Sequence, residues 1–485
     1  MKTWIAYPPL EGKGTAQLGQ NRQFQWFHNP SFIYPMVPAS AATLLKRNGY
    51  NVEYLDYIAE NRSFEEFMRY FEKKKPELAA FETKTPVVKQ HWKIIDELKE
   101  ISNETKFVLM GDHVTCFPEE SFRNSKVDFV LTGGDYDFLL LSVADYLDKK
   151  KELDKGIYYR ESTDGPVKNT GKFVLNHDLD SLPFIDRKLT KWELYGEKLF
   201  KRTPHTYTMA GRDCWWAKCR FCSWTTLFPQ FRSRSPQNVL DEIGMLIKKY
   251  NIREIFDDTG TFPAGKWLEE FCTGMVERGF NEKLLFSINY RVDVLDRKIA
   301  QMMKKAGFRL MKVGIESANE TTLERLKKGT SVSQMRKACK AAKEAGLEVH
   351  LTIMIGYPWE TKKQALKTLN LAKEFMHSGL ADLLQSTVVV PYPGTPLYEE
   401  AKQNDWLIYP EGEWENYDMT KPVLKTPDMT PEEVMKICHG VYRTFIHPKY
   451  VFHHLKKMRS LEDISYTFQG VKAVFGHLLD FARKE

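Results

Sequence analysis

Cys214, Cys219 and Cys222 lie within nine residues of each other in the stretch GRDCWWAKCRFCSW. Three thiolates this close can hold a metal centre but cannot complete it. In a cubane iron–sulfur cluster four cysteines saturate the irons for electron transfer, whereas three leave one iron open to a ligand or substrate. Cys116, Cys272, Cys339 and Cys438 are scattered singly and offer no obvious fourth ligand. Zinc is the rival metal, because Cys219 and Cys222 form a C-x2-C pair, yet structural zinc normally closes at four ligands. No second C-x2-C pair exists, and His205, upstream on the strand-like HTYTMAG, lacks the usual spacing for a fourth ligand. Three unliganded core cysteines are the plainest alternative, although free cysteines seldom cluster.

The elements that must position these residues follow from periodicity. A chain of 485 residues is too long for one hydrophobic core and predicts two or three domains. Over the first 150 residues short apolar runs (WIAYPP, NVEYLDY, ELAAFE, KFVLMG, VDFVL) alternate with amphipathic helical stretches such as Phe64–Lys75 and Val88–Ile101. Such alternation predicts a parallel sheet covered by helices on both faces, with its ligand outside the carboxyl ends of the strands. Polar and glycine-rich turns fall at those ends: Thr83 and Thr85, then Gly111, Asp112, His113 and Thr115, then Gly133, Gly134 and Asp135. Each alone reads as a turn or a surface residue, but three such loops on one sheet edge read as a binding site. There is no G-x-G-x-x-G after the first strand, which disfavours a dinucleotide and leaves another flat or phosphate-bearing ligand open.

Residues 151–195 read as a linker with a hairpin turning at Asp164-Gly165. A second alternating series of six strand–helix units fills 196–404 and predicts a parallel barrel or partial barrel, with its active site at the carboxyl ends of the strands. The cysteines follow the first of those strands. Asp257-Asp258, Tyr290-Arg291, Glu316-Ser317, Gly356-Tyr357-Pro358 and Pro391-Tyr392-Pro393-Gly394 follow the others. Asp258, Tyr290, Arg291 and Tyr392 are catalytic candidates by position alone, and the acidic pair could instead cap a helix. Trp215, Trp216, Trp224 and Phe228 around the cysteines read as core packing, or as a wall for a bulky apolar substrate. Residues 405–485 form a mostly helical region whose last helix puts Ile464, Phe468, Val471, Phe475 and Leu478 on one face. A helix docked on the barrel is favoured there over a peripheral membrane anchor.

Hydrophobic residues at 42% supply cores, and a net charge of +7 is too small at this length to argue for a nucleic-acid partner. The start, MKTWIAYPPLEG, turns polar before a signal-peptide apolar region could form, and no apolar run is long enough for a membrane span. The expected location is the cytoplasm, where seven cysteines stay reduced.

With these residues in place, nearly the whole chain resembles the radical S-adenosylmethionine (SAM) enzymes that carry an N-terminal cobalamin-binding domain. The resemblance implies a Rossmann-like, flavodoxin-like cobalamin domain over 1–150, a partial (β/α)6 TIM-type barrel over 196–404 and a helical tail. It implies that Cys214, Cys219 and Cys222 hold a 4Fe–4S cluster whose open iron is chelated by the amino and carboxylate groups of SAM. One electron, from a donor such as flavodoxin or ferredoxin, would then release a 5′-deoxyadenosyl radical. Phe221 matches the family's aromatic beside the adenine, Glu316 and Ser317 a cofactor-facing strand end, and Gly356 in IGYPWET the adenine-side turn. VVVPYPGTPLYEEA and FIHPKY resemble segments of cobalamin-dependent members.

Two departures stand out. The spacing is C-x4-C-x2-C where the family has C-x3-C-x2-C, and the D-x-H-x-x-G motif that supplies a lower cobalt ligand is absent, Asp112 and His113 being adjacent. Many relatives that resemble this chain lack that motif and are expected to bind cobalamin without it. The implied reaction is methylation of an unactivated carbon, or of phosphorus, on a small-molecule or lipid-like substrate. The alternatives are a rearrangement, cyclisation or carbon–carbon coupling with the same cofactors, or a non-catalytic iron–sulfur and cobalamin carrier.

Overall fold

Both alternating series become parallel sheets in the computed structural model, which describes the chain apart from residues 19–23, 28–29, 197–198, 456–457, 459–461, 465, 468–469 and 471–485. In the first sheet the order is Asn51–Asp56, Lys2–Tyr7, Leu78–Glu82, Lys106–Met110, Phe129–Leu131, all parallel. Every residue of Leu78–Glu82 is buried, as a strand covered by helices on both faces must be. Chain order reverses between Lys2–Tyr7 and Leu78–Glu82, so the crevice that can admit a ligand opens at their carboxyl ends. The stretch expected as a linker extends this sheet, because Ile157–Tyr159 pairs antiparallel with Phe129–Leu131 and Lys168–Asn169 follows it. A short hairpin, Thr15–Gln17 with Gln25–Phe27, was not anticipated.

The second sheet runs His205–Thr208, Glu254–Asp257, Leu285–Tyr290, Phe308–Glu316, Glu348–Ile355, Leu383–Val388, six parallel strands in chain order. It is a partial (β/α)6 barrel. Its helices start where short polar side chains can cap them: Ser235, Asp296, Ser331 and Thr361 each accept from a backbone N–H three residues on. Phe262, Phe271, Phe286 and Phe308 meet edge to face or tilted between strands and helices. Their interlock fixes which face of Leu285–Tyr290 looks outward.

Beyond the barrel, helix Pro431–His439 lies on the last two strands, with Val434 against Gly356. Helix Pro448–Leu455 packs on Lys362–His377, and the Tyr450 hydroxyl donates to Asp382 O at 3.0 Å. The apolar face expected of the last helix falls mostly outside the described residues, at Phe468, Val471, Phe475 and Leu478; Ile464 is exposed. No helix among the described residues is long and apolar enough to cross a membrane.

Candidate active site

The cysteine loop is tied off at its base by an antiparallel pair, Gly211–Arg212 with Arg232–Ser233. Within it successive residues are pinned to segments that follow the second, fourth and sixth barrel strands. Asp213 Oδ1 accepts from Gly260 N–H at 2.6 Å, and Cys214 Sγ lies 3.0 Å from Thr261 Oγ1. Arg220 donates its backbone N–H to Leu326 O at 3.0 Å, and its own carbonyl accepts from Leu397 N–H at 3.0 Å. The extra residue of the C-x4-C spacing is absorbed by a turn with Ala217 at φ +46°. That turn throws Trp216 outward, where the indole N–H donates to Lys327 O at 2.8 Å. The ring lies on Gly329, at which a Cβ would come within 2.2 Å of it, and Arg291 sits 4.4 Å over its face. The longer loop therefore docks on the barrel instead of hanging free.

All three cysteines are half-buried and none is in a disulfide. Burial, with Asp213 and the other two cysteines adding to it, pushes the Cys222 thiol up to about 12. A thiol raised in this way needs a cationic centre to ionise. Among the described residues no three His, Cys, Asp or Glu side chains converge on a single-ion site. Donors that each take a different iron of one cluster stand farther apart than donors sharing one ion. His205 sits at the opposite end of its strand, stacked 4.1 Å from Phe200, out of reach of the loop.

At the fourth strand end Glu316, itself at φ +57°, accepts from Lys328 Nζ at 2.8 Å. The pair lies over Gly314, where any Cβ would strike Glu316 Oε1 at 2.1 Å, and the ammonium is 6.0 Å from the Phe221 ring centre. Ser317 turns the other way. Its hydroxyl donates to Glu360 Oε1 at 2.7 Å, and that oxygen also accepts from Asn319 Nδ2 at 2.9 Å and Thr322 Oγ1 at 2.6 Å. Ser317 thus ties the fourth strand end to the loop after the fifth, which holds Gly356 at φ +97°.

Period-two alternation puts Tyr290 on the face of Phe286 and Ile288, towards the helices, where burial and then Cys272 push its hydroxyl well above the ordinary range. The barrel interior is not where it points. Arg291 is held by Asp293 at 2.9 Å and donates to Lys328 O at 2.9 Å. Asp257 accepts from Thr208 Oγ1 and Ala210 N–H, both at 2.9 Å, and so joins two strands, while Asp258 is buried beside it. Tyr392 is buried at the seam between the sheets, with Asp112 the nearest charge to its hydroxyl.

Across that seam, the polar groups named at the first sheet's edge are spent largely on one another. Thr83 Oγ1 meets His91 Nδ1 at 2.9 Å, and Thr115 Oγ1 donates to Gly111 O at 2.7 Å and accepts from Gly133 N–H at 3.1 Å. His113 is fully buried, with Nδ1 3.3 Å from Thr85 Oγ1 and Nε2 3.0 Å from Glu120 Oε2, so neither nitrogen is left for cobalt. The glycines serve close approach of protein to protein: Gly133 receives Phe173, Gly134 receives Phe228, and Gly111 packs on Thr83 O.

Among the buried polar atoms at this edge without a hydrogen-bond partner are Lys84 Nζ and Tyr136 OH. Lys84 is 3% exposed, has only Glu82 Oε1 at 3.6 Å, and lies 5.6 Å from the ring of Trp224 in the helix that follows the cysteines. Tyr136 shares the spot, its hydroxyl raised by burial first and then by Glu82 and Asp112. Buried donors left unpaired are costly and mark where a ligand's acceptors belong. Sequence reading passed over both: Lys84 stands between two named threonines, and nothing local says that a lysine will be buried.

Ion pairs lock the seam. Arg212, at the base of the cysteine loop, donates to Asp135 Oδ1 at 3.0 Å and to Asp137 Oδ2 at 2.5 Å, and Arg232 to Asp135 Oδ1 at 2.6 Å. His177 Nδ1 meets Asp135 Oδ2 at 3.0 Å. Asp135, expected to face a ligand, instead binds the second sheet to the first.

Residues 31–138 match the B12-binding domain family and residues 210–372 the radical SAM superfamily. The chain combines a radical SAM domain with an N-terminal B12-binding domain. Its cofactors are accordingly a 4Fe–4S cluster, SAM and cobalamin. It is 29% identical over 83% of its length to an uncharacterised methyltransferase of Pyrococcus horikoshii, covering 86% of that protein. It is 24% identical over 84% of its length to the anaerobic magnesium-protoporphyrin IX monomethyl ester cyclase of Cereibacter sphaeroides, covering 66% of it. In fold it is similar to TsrM from Kitasatospora setae, a radical SAM methyltransferase solved with cobalamin and a [4Fe–4S] cluster. The TM-score is 0.68, with 14% identity and all of both chains covered.

The residues at the seam fit both metal cofactors. The cysteine loop brings three free thiols and no fourth to the barrel mouth, and the facing sheet edge holds a cation and a phenol that lack acceptors.

Proposed function

We propose that this enzyme methylates an unactivated carbon, or phosphorus, of a small-molecule substrate bound at the barrel mouth. The carrying observation is the shared seam: the helix that leaves the cysteine loop, Trp224–Leu227, packs on the first sheet's edge beside Lys84. Cluster-side and cobalamin-side residues therefore meet at one seam. When bound, the cofactors supply radical generation from SAM and a transferable methyl group.

In this reading Cys214, Cys219 and Cys222 hold the cluster. Phe221 and Glu316, the latter oriented by Lys328, line the SAM side. Ser317 and Gly356 shape that side through the backbone, and the glutamate network of Glu360 keeps the fourth strand end in place. Lys84 and Tyr136 donate to the acceptor groups around the corrin, while Gly111, Thr83 and Thr115 set the loop that presents them. The walls of both sheets exclude water, which would quench a radical. The Pyrococcus relative's description as a methyltransferase supports methyl transfer.

The test is mass spectrometry of anaerobically reconstituted protein given cobalamin, SAM and a reductant, wild type against Cys222→Ala. The expected result is 5′-deoxyadenosine together with S-adenosylhomocysteine from wild type and neither from the variant. Deoxyadenosine without S-adenosylhomocysteine would replace methylation by a rearrangement, cyclisation or carbon–carbon coupling; the Cereibacter relative is a cyclase by name. Neither product from a protein with full iron content would turn the reading to a carrier.

A further inference from the structure

Lys328 and Glu316 form an ion pair whose side chains are 11% and 8% exposed, beside the cysteine loop. The ammonium lies 6.0 Å from the ring of Phe221, the residue between Cys219 and Cys222. The pair is placed, not incidental. Gly314 makes room for both groups, a Cβ there meeting Lys328 Nζ at 2.9 Å, and the Lys328 carbonyl is gripped by Arg291 at 2.9 Å. Arg291 has its own carboxylate, Asp293, so its charge is answered locally. In a site this dry, charges act at several times their strength in water.

We infer that Lys328 and Glu316 set the reduction potential of the cluster held by the three cysteines, the lysine raising it and the glutamate lowering it. Reduction adds one electron and forms or breaks no bond, so the reduced state carries one more negative charge. A buried cation beside it favours that state and a buried anion opposes it. The paired arrangement keeps the two influences nearly balanced, and either substitution unbalances them with a sign that depends on which partner is removed. The inference rests on the cysteine assignment above.

The experiment is EPR-monitored potentiometric titration, without SAM, of full-length reconstituted protein carrying Lys328→Met, Lys328→Arg, Glu316→Gln or the Met/Gln pair, with iron and sulfide content measured alongside. Lys328→Met is expected to shift the one-electron reduction equilibrium about tenfold or more towards the oxidised cluster, about 59 mV more negative. Glu316→Gln is expected to shift it in the opposite direction, Lys328→Arg to leave it near wild type, and the double variant to fall between the singles. A merely structural pair would give no opposite signs. If Lys328→Met assembles no cluster, the positive shift of Glu316→Gln carries the inference, and its absence overturns it. Shifts of one sign, or none, at full iron content overturn this inference alone. A wild-type chain without an EPR-active cluster overturns the cysteine assignment and this inference with it.

Discussion

Glu360 shows how much a single buried carboxylate can organise. One of its oxygens takes hydrogen bonds from Ser317, Asn319 and Thr322, and through them it fixes the end of the strand that presents Glu316. Glu360→Ala removes the shared acceptor of three buried hydrogen bonds; Asn319 Nδ2 keeps Gln364 O at 3.1 Å and Ser317 Oγ keeps Thr368 Oγ1 at 3.3 Å, so the main loss falls on Thr322, whose stranded hydroxyl costs about 1–3 kcal/mol. The expected outcome is a clearly lower urea midpoint for the barrel, followed by tryptophan fluorescence, and Glu360→Gln should recover most of the loss because it keeps one acceptor oxygen. An unchanged midpoint for the alanine variant would show that the network is not holding the strand end. Lys84 offers a second residue-scale test. Lys84→Met removes an ammonium that has no hydrogen-bond partner but faces the buried Glu82 carboxylate at 3.6 Å, so thermal stability without cobalamin should fall, and cobalamin affinity of the folded variant, read by absorbance titration, should fall about tenfold, the worth of one charged hydrogen bond. Undiminished affinity would remove Lys84 from the site.

At the scale of the element, the cysteine loop owes its order to docking. It has no regular structure between Asp213 and Cys222, yet Asp213 binds the loop after the second strand, while Trp216 and Arg220 bind the neighbouring carbonyls of Lys327 and Leu326. Gly329 is the receiving surface for Trp216 and has φ +69°, a conformation that a side chain disfavours. Gly329→Ala should displace the tryptophan and loosen the loop, at about 1–3 kcal/mol, the usual cost of overpacking. The readout is iron bound per chain after reconstitution, expected to fall while the far-ultraviolet circular dichroism stays native. Full iron occupancy in the variant would mean that the loop closes without this contact. The same docking explains why C-x4-C-x2-C is workable here: the extra residue is used to reach the barrel rim.

For the whole molecule, the decisive feature is the latch of Asp135 and Asp137 with Arg212, Arg232 and His177. Burial pushes the Asp135 carboxyl up, but His177, Arg212 and Arg232 outweigh it and hold it well below the ordinary carboxylate range. A carboxylate depressed by folding adds stability that is present at and above its unfolded value, near pH 4, and is lost as pH falls through the folded value. The seam should therefore hold at neutral pH and open under acid, seen as growth of the radius of gyration in X-ray scattering or as protease cleavage between the sheets. Arg212→Met leaves two buried carboxylates without their shared cation, at about 3–5 kcal/mol, and should bring that opening to higher pH. Opening at the same pH in wild type and variant would place the acid sensitivity elsewhere.

Strand and helix order, the six-unit barrel and the three cysteines were legible in the sequence because each is a local pattern: apolar period, capping residue, metal-ligand spacing. The glycine- and threonine-rich loops were rightly read as lying at the strand ends, since a turn's residues reveal a turn. What those side chains face is not local. Asp135 and His113 found protein partners, Tyr290 fell on the helix side of its strand, and Ser317 was claimed by a glutamate 43 positions further on. Lys84, Lys328 and Arg212 came to matter only because folding buried their charges, and burial is decided by which surfaces the two sheets present to each other. The sequence by itself determined the elements and the cluster of three thiols; the tertiary structure alone decided which polar groups are consumed in holding the seam and which are left without a protein partner, because that division depends on packing between residues far apart in the chain.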